Sequence, residues 1–104
     1  MNIQVPTVVL DGSVLAVLTK EDTYGYIITK AMQELFGVSK STMYPVLRRL
    51  KRDGYLETYD KPFEGRNRRY YHITEVGVTH LNEISQAWVD FRGAVDSLLE
   101  ESDD

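Results

Sequence analysis

The stretch that decides the fold is Ser39-Lys40-Ser41-Thr42-Met43-Tyr44-Pro45-Val46-Leu47-Arg48-Arg49-Leu50-Lys51-Arg52-Asp53-Gly54. Its apolar residues follow the spacing i, i+3, i+4, i+7 of one helical face, and they are Met43, Val46, Leu47 and Leu50. At about 100° per residue, the opposite face carries Ser41, Tyr44, Arg48 and Arg52. The stretch therefore predicts an amphipathic helix that ends at Gly54 and presents hydrogen-bond donors on its polar face.

Two start points for this helix are compatible with the sequence. Ser39 is a good N-cap residue, but a helix that begins there holds Pro45 in its interior, at a cost of about 3 kcal/mol. If Thr42 is the N-cap instead, Pro45 lies in the first turn, where a missing N–H loses no partner. We therefore expect a late start or a bend near Tyr44.

Two further helices are predicted upstream of this one. The first begins near Asp11 or Ser13, and Thr23 caps the second. The apolar residues of the second helix recur at helical spacing and are Tyr26, Ile27, Ala31, Met32 and Leu35. Gly37 follows them, where a left-handed C-terminal cap is expected. Because only residues 36–39 join the second helix to the third, the pair is typical of a helix-turn-helix.

Downstream of Gly54 the pattern changes from helix to strand. Residues 55–61 and 68–73 are rich in aromatic and β-branched side chains, and residues 62–67 between them form a mobile basic tip. A lone hairpin is barely stable in water, so this one must pack on the helices. The contacts expected are those of Leu56, Tyr71 and Ile73. The prediction is an α+β winged helix-turn-helix over residues 1–74, with a three-helix core and a two-stranded β wing.

A last helix is predicted from Thr74 to about residue 100. Its apolar residues step alternately by three and four, as in an a/d heptad seam, and they are Leu81, Ile84, Trp88, Phe91, Val95 and Leu98. We expect residues 75–104 to form a dimerisation helix and a frayed acidic tail. The alternative is that the seam packs on the first helix of the same subunit. Trp88 and Phe91 either pack this interface or bound a slot for a planar apolar effector.

The charge of the chain is unevenly distributed. The net charge is −4 and the pI about 5.1, yet residues 40–72 contain nine basic and four acidic residues, a local charge of +5. Because salt screens distant charges within roughly 8–10 Å, a nucleic acid responds to the local patch. The alternative is a solvated charged face. Tyr24 and Tyr26 are assigned to the core or to a helix contact, and Tyr44 either faces the DNA groove or supports the turn.

The residues predicted to contact DNA fall into two groups. The third predicted helix, as the recognition helix, contributes side chains for the major groove and the adjacent phosphates. They are Lys40, Ser41, Thr42, Tyr44, Arg48 and Arg52. The wing contributes Lys61, Arg66, Asn67, Arg68 and Arg69.

Composition and motifs argue against several other functions. The chain has no cysteine, which excludes disulfides, thiolate nucleophiles and Cys-ligated zinc. His72 and His80 are each followed by a glutamate at i+3, but such pairs offer too few ligands to predict a metal site. No phosphate-binding loop or nucleophile elbow is present, so we expect neither a cofactor nor an enzyme. Residues 1–10 lack signal-peptide features and no apolar run approaches about 20 residues, so we expect a cytoplasmic protein without a membrane segment.

Four segments match one family in combination. They are Tyr24-Gly25-Tyr26-Ile27, Ser41-Thr42-Met43-Tyr44-Pro45-Val46-Leu47-Arg48-Arg49-Leu50, Asp53-Gly54-Tyr55-Leu56 and Gly65-Arg66-Asn67-Arg68-Arg69-Tyr70-Tyr71-His72-Ile73-Thr74-Glu75. Together they resemble the signature of PadR-type transcriptional regulators. The resemblance implies a winged-helix repressor, dimeric through its C-terminal helix, that responds to a small molecule or a cell-envelope signal.

Two departures from the family pattern qualify this resemblance. Only one long helix follows Thr74, so the short subfamily is the better match, and effector sites of the longer members, including those for phenolic acids, do not carry over. Asn67 stands where the family often has proline, which predicts a more flexible wing tip.

These observations lead to two hypotheses about function. The first is a dimeric repressor of neighbouring genes that binds double-stranded operator DNA and is released by a small hydrophobic effector. The second is a winged-helix module that binds another protein through its last helix and acidic tail, without reading DNA. The basic block, residues 40–72, favours the first hypothesis, whereas the heptad seam fits both.

Overall fold

The computed structural model describes residues 1–100 as four helices and three strands. In chain order these are α1 (Thr7–Lys20), β1 (Thr23–Tyr24), α2 (Gly25–Phe36), α3 (Lys40–Arg52), β2 (Leu56–Phe63), β3 (Arg66–Ile73) and α4 (Glu75–Leu99). The strands form one antiparallel sheet in the order β1-β3-β2. The predicted α+β winged helix-turn-helix with a long C-terminal helix is confirmed. Residues 101–104 of the predicted acidic tail lie outside the described residues.

The first helix begins earlier than the sequence predicted. It starts at Thr7, directly after Pro6, and not near Asp11 or Ser13. Asp11 was expected to cap the helix but is buried inside it, where it meets a partner from another helix. The prediction was wrong because a capping residue type was used here for a tertiary contact. The end of α2 is as predicted, since Gly37 adopts the left-handed conformation with a φ of 70°.

The third helix begins at Lys40, so the late start at Thr42, one of the alternatives that the sequence left open, is excluded. Ser39 is the N-cap, and its hydroxyl accepts a hydrogen bond from the backbone N–H of Thr42 at 3.3 Å. Pro45 therefore lies inside the helix, and the carbonyl of Ser41 loses its usual donor four residues later. Four apolar side chains of α3 are buried. At about 1.5–3 kcal/mol each, their burial outweighs a proline penalty of about 3 kcal/mol.

The sheet has one strand more than the predicted two-stranded wing. Thr23, which was expected to cap the second helix, forms β1 together with Tyr24. These two residues pair with Tyr71 and Tyr70 of β3, on the side of β3 opposite β2. Main-chain pairing therefore attaches the wing directly to the residue that precedes α2.

The wing hairpin is longer than predicted and its tip is shorter. The strands β2 and β3 remain paired as far as Phe63 and Arg66, so the turn is Glu64-Gly65 and not residues 62–67. Both turn residues have positive φ angles, 51° and 78°. This is the signature of a type I′ turn, whose twist suits two antiparallel strands. Asn67 consequently lies within a paired strand.

The core lies between α1, α2, α3 and one face of the sheet. Its largest fully buried side chains are Leu15, Ile28, Met32, Met43, Leu50 and Val14. Leu56 and Ile73 are buried in the same cluster, and Tyr71 packs against it. The predicted attachment of the wing to the helices through these three residues is confirmed.

The last helix begins and ends close to where the sequence placed it. Thr74 is its N-cap and accepts a hydrogen bond from the backbone N–H of Gly77 at 3.0 Å. α4 packs along α1, where Ile84 lies against Gly12 so closely that a Cβ on the glycine would be 2.6 Å from its Cγ2 atom. In residues 1–100, no helix is long and apolar enough to cross a membrane.

Candidate nucleic-acid interface

The outer face of α3 carries the side chains that the sequence assigned to it. All six are exposed, namely Lys40, Ser41, Thr42, Tyr44, Arg48 and Arg52. The hydroxyl of the N-cap Ser39 lies 2.9 Å from that of Ser41 and 3.2 Å from that of Thr42. The N-terminal end of α3 therefore presents a cluster of short hydroxyl groups, and Arg48 and Arg52 follow about two and three turns later.

Arg49 belongs to the basic block but not to this face. Its guanidinium donates two hydrogen bonds to the carboxylate of Asp11 in α1, with lengths of 2.7 and 3.0 Å. The hydrogen bond to Asp11 raises the pKa of Arg49 above its ordinary value. This arginine fixes α3 against α1 and contributes little charge to the outer surface, which the sequence did not reveal.

A polar cleft of about 140 Å³ separates α2 from the start of α3. Its lining includes two lysines and two tyrosines and no carboxylate among the described residues, and it consists of Gly25, Tyr26, Thr29, Lys30, Gln33, Lys40 and Tyr44. Tyr26 is 56% exposed, so of its two expected places, the core or a helix contact, the core is excluded, and Tyr26 lies on the wall between α2 and α3. Tyr44, on the other wall, is 57% exposed. The sequence missed Lys30 because the hydrophobic pattern of α2 does not show which polar residues face α3.

The predicted wing cations differ in their surroundings. Lys61, Arg66 and Arg69 are exposed, as is Asn67. The Nε atom of Arg69 is 3.5 Å from a carboxylate oxygen of Asp60, a loose pair between two exposed side chains. Such pairs contribute little stability, so Arg69 is free to exchange this partner for another anion.

Among the four predicted wing cations, Arg68 is the one that is not exposed. Its guanidinium carbon lies 4.7 Å from the ring centre of Tyr24 and 5.5 Å from that of Phe63. Its Nε atom is buried and has no hydrogen-bond partner within residues 1–100. The side chain is therefore packed against aromatic rings, in contrast to its neighbours Arg66 and Arg69.

Asp22 joins the wing to the loop that precedes β1. Its carboxylate accepts hydrogen bonds from the hydroxyl of Tyr59 at 2.7 Å and from Nδ1 of His72 at 2.8 Å. Partial burial opposes its ionisation, but these two hydrogen bonds outweigh burial and hold the pKa of Asp22 below its ordinary value. The same bonds raise the pKa of His72 and raise that of Tyr59 to about 12. Among residues 1–100, no three metal-ligating side chains form a group that could hold a metal ion.

The structure divides the seam of α4 into two parts. Ile84 is buried in the core of the chain and Leu81 packs against that core. Trp88 is 39% exposed, Phe91 58% and Leu98 79%. Intramolecular packing therefore accounts for the first turns of the seam, whereas the later turns present an apolar face to solvent.

A cleft between α1 and α4 opens onto this exposed face. It has a volume of about 200 Å³ and is lined by Pro6, Val8, Val9, Ile84, Ala87, Trp88 and Phe91. The ring centres of Trp88 and Phe91 are 6.1 Å apart, with their planes inclined by 39°. The two aromatic residues that the sequence singled out thus line one apolar cavity, open on one side.

The fold and this surface define a class of protein. A helix-turn-helix with a donor-rich second helix, followed at once by a β-hairpin with exposed cations, is a winged-helix domain of the kind that binds DNA. The chain belongs to the PadR family, because residues 14–83 match the model of the transcriptional regulator PadR-like family. It is therefore a transcriptional regulator and not an enzyme, and regulators of this family bind DNA.

Several solved structures and relatives resemble the chain. The structure of smu.1704 from Streptococcus mutans UA159 superposes with a TM-score of 0.90 at 33% identity, covering all of both chains. A PadR-like transcriptional regulator from Bacillus cereus, BC4206, gives a TM-score of 0.82 at 32% identity, over 90% of this chain and 94% of that one. The transcriptional regulator Rv3488 of Mycobacterium tuberculosis is 40% identical over 52 residues, 50% of this chain and 49% of its own length.

Proposed function

We propose that this protein is a dimeric repressor that binds operator DNA near its own gene and is released by a small hydrophobic effector. The observation that supports this most is the charge distribution of the surface. An acidic chain presents basic and hydroxyl side chains together on the outer face of α3 and on the wing, where a winged helix meets DNA.

The proposed contacts are of two kinds, those to base edges and those to phosphates. The exposed residues at the start of α3, with Arg48 one turn after Tyr44, face base edges in the major groove, where arginine pairs well with guanine. Arg66 and Arg69 on the wing, with Lys30 and Lys40 beside the α2–α3 cleft, neutralise phosphates and carry no sequence information. We likewise assign residues 1–74 to DNA binding and residues 75–104 to pairing.

Dimerisation through α4 is supported by the exposed second half of its seam. Trp88, Phe91 and Leu98 form an apolar stripe on a helix that extends beyond the core, and such stripes mark interfaces. A flat hydrophobic effector suits the cleft beside Trp88, whose lining is apolar and aromatic. Because this cleft lies beside the pairing face, a bound molecule would alter the distance between the two recognition helices.

The DNA proposal is tested by measuring binding to the DNA upstream of the gene at several salt concentrations. Each phosphate contact contributes about −0.9 to the slope of log affinity against log salt. We expect a steep slope for the wild type, a uniform loss of affinity for Arg66→Ala, and a loss of sequence discrimination for Arg48→Ala. An affinity that hardly varies with salt concentration would show that the protein does not contact phosphates.

The dimer and the effector are tested separately from DNA. Light scattering should give a dimer for the wild type and a smaller species for Trp88→Ala or Leu98→Asp. Fluorescence of Trp88, which is the only tryptophan, should be quenched by a flat hydrophobic cation. A wild-type monomer with an exposed Trp88 would instead support the second hypothesis, a module that uses α4 to bind a partner protein.

A further inference from the structure

The outer face of the wing sheet carries an aromatic cluster, defined here as Tyr24, Tyr59, Phe63 and Tyr70. Strand pairing places Tyr24 and Tyr59 opposite Tyr70, on its two sides. The ring centres of Tyr24 and Tyr70 are 5.6 Å apart, as are those of Tyr59 and Tyr70, and Phe63 is 5.9 Å from Tyr24. Leu56 and Ile73 point to the other face, into the core. The cluster is thus a second layer of packing, outside the core.

Arg68 is the partly buried cation of this cluster, whereas the Nζ atom of the exposed Lys61 lies 5.2 Å from the ring centre of Tyr70. Its guanidinium packs against Tyr24 of β1 and Phe63 near the tip of β2, at 4.7 and 5.5 Å from their ring centres. A guanidinium over an aromatic face is attracted by the ring quadrupole, and partial burial strengthens this attraction. The unpartnered Nε atom indicates that packing, and not hydrogen bonding, selects the side-chain position.

The position of Arg68 matters because the outer half of the wing has few other supports. β1 pairs with β3 only at Tyr70 and Tyr71, so beyond these residues the hairpin is held by its own two strands. A two-stranded hairpin is marginally stable by itself. Arg68 adds a contact between the tip residue Phe63 and Tyr24, which immediately precedes α2.

We infer that Arg68 is a positioning residue that fixes the angle of the wing against the helix-turn-helix, and that the phosphate contacts of the wing are made by Arg66 and Arg69. This inference rests on the proposed DNA binding and revises the role that the sequence suggested for Arg68. The wing must reach the DNA at a fixed angle to α3. A wing whose outer half is already rigid therefore loses less conformational entropy on binding.

The salt dependence of DNA binding separates a positioning residue from a phosphate ligand. Arg66→Ala should reduce the magnitude of the slope by about 0.9 for each phosphate that the side chain neutralises in the wild type. Arg68→Met and Phe63→Leu should both weaken binding about three- to tenfold at every salt concentration, the size expected when a cation–π interaction is removed, with the wild-type slope retained. Arg68→Lys, which keeps the charge, should recover part of the affinity.

A second measurement needs no DNA. In Arg68→Met, hydrogen exchange at backbone amides of residues 60–69 should be faster than in the wild type, while the core helices exchange at the wild-type rate. Three results would overturn the inference: a slope for Arg68→Met as shallow as that of Arg66→Ala, wild-type affinity in Arg68→Met, or unchanged exchange in the wing. Failure of the wild type to bind DNA with a salt-dependent affinity would refute the proposed function, and exchange would still decide the role of Arg68.

Discussion

Arg49 of α3 and Asp11 of α1 form a two-hydrogen-bond ion pair whose members are 38 positions apart in the chain. The side chain of Asp11 is only 9% exposed, and that of Arg49 is 32% exposed. Paired hydrogen bonds between guanidinium and carboxylate fix orientation as well as distance. Since α1 also packs along α4, this pair links α3, through α1, to the helix that carries the proposed dimer face.

Asp11→Asn should therefore lower the free energy of unfolding by about 1–3 kcal/mol, because it leaves a partly buried guanidinium without its charged partner. Chemical denaturation measures the loss. The matched control is Asp53→Asn, which breaks an exposed pair with Arg52 and should change stability by no more than about 1 kcal/mol. Equal effects of the two variants would show that the Asp11 pair does not hold the helices together.

Gly77→Ala tests the junction between the wing and α4. A Cβ at Gly77 would collide with the backbone carbonyl oxygen of Tyr55 and come within 2.8 Å of Cγ1 of Ile73. Because backbone cannot move aside as a flexible side chain can, we expect a loss at or above the upper end of the roughly 1–3 kcal/mol range for overpacking. Thermal unfolding followed by circular dichroism measures it.

Gly93→Ala is the control for this change. It lies on the same helix, and a Cβ there meets nothing within 4 Å among the described residues. Replacing a helical glycine by alanine should stabilise the protein by roughly 0.5–1 kcal/mol. Opposite signs at Gly77 and Gly93 would establish that contact with Tyr55, and not helix propensity, determines the effect.

Much of the fold could be predicted because its signals are local and periodic. The apolar face of α3, the hairpin and the start of α4 at Thr74 all follow from side-chain spacing and capping chemistry. β1 could not be predicted in this way, since two residues have no period and their partners in β3 are distant in the sequence. The start of α3 stayed open between Ser39 and Thr42 because spacing alone does not show that the burial of its apolar face outweighs the penalty of Pro45.

The candidate site was predictable in position but not in detail. Charge counting located the basic surface, but a count cannot show which cations are already paired or packed. Arg49 is bound to Asp11, and Arg68 lies against aromatic rings, both through residues distant in sequence. Conversely, Lys30 joins the surface only because α2 packs beside α3.

The contact between Asp22 and His72 predicts a pH-dependent attachment of the wing. Because the pKa of His72 is raised, this residue stabilises the folded state at pH values below its unfolded pKa of about 6.5. The contribution disappears as the pH rises through the folded pKa of His72. A lowered pKa of Asp22 adds stability above about 3.8, which is lost as the pH falls through the folded pKa of that carboxyl. The attachment should therefore be strongest in mildly acidic solution.

The measurement is the difference in melting temperature between the wild type and Asp22→Asn at a series of pH values. The difference should be largest near pH 5–6 and shrink toward pH 8 as His72 loses its proton. An NMR titration of His72 should give a pKa above 6.5 in the wild type and a lower one in Asp22→Asn. A difference in melting temperature that is constant across this range would exclude an ion pair.

The cleft between α2 and α3 leads to the last prediction. Lys30 and Lys40 lie on its walls beside Tyr26 and Tyr44, a set of donors suited to a DNA phosphate just outside the groove that α3 would enter in the proposed complex. Lys30→Gln should weaken binding to all DNA sequences alike and reduce the magnitude of the salt slope by about 0.9. Tyr26→Phe removes a donor without a charge, so it should lower affinity and leave the slope unchanged. Arg92→Gln, which removes a cation on α4 outside the cleft, is the control and should keep the wild-type slope; a slope reduced equally in Arg92→Gln and Lys30→Gln would mean that overall charge, and not this cleft, attracts the DNA.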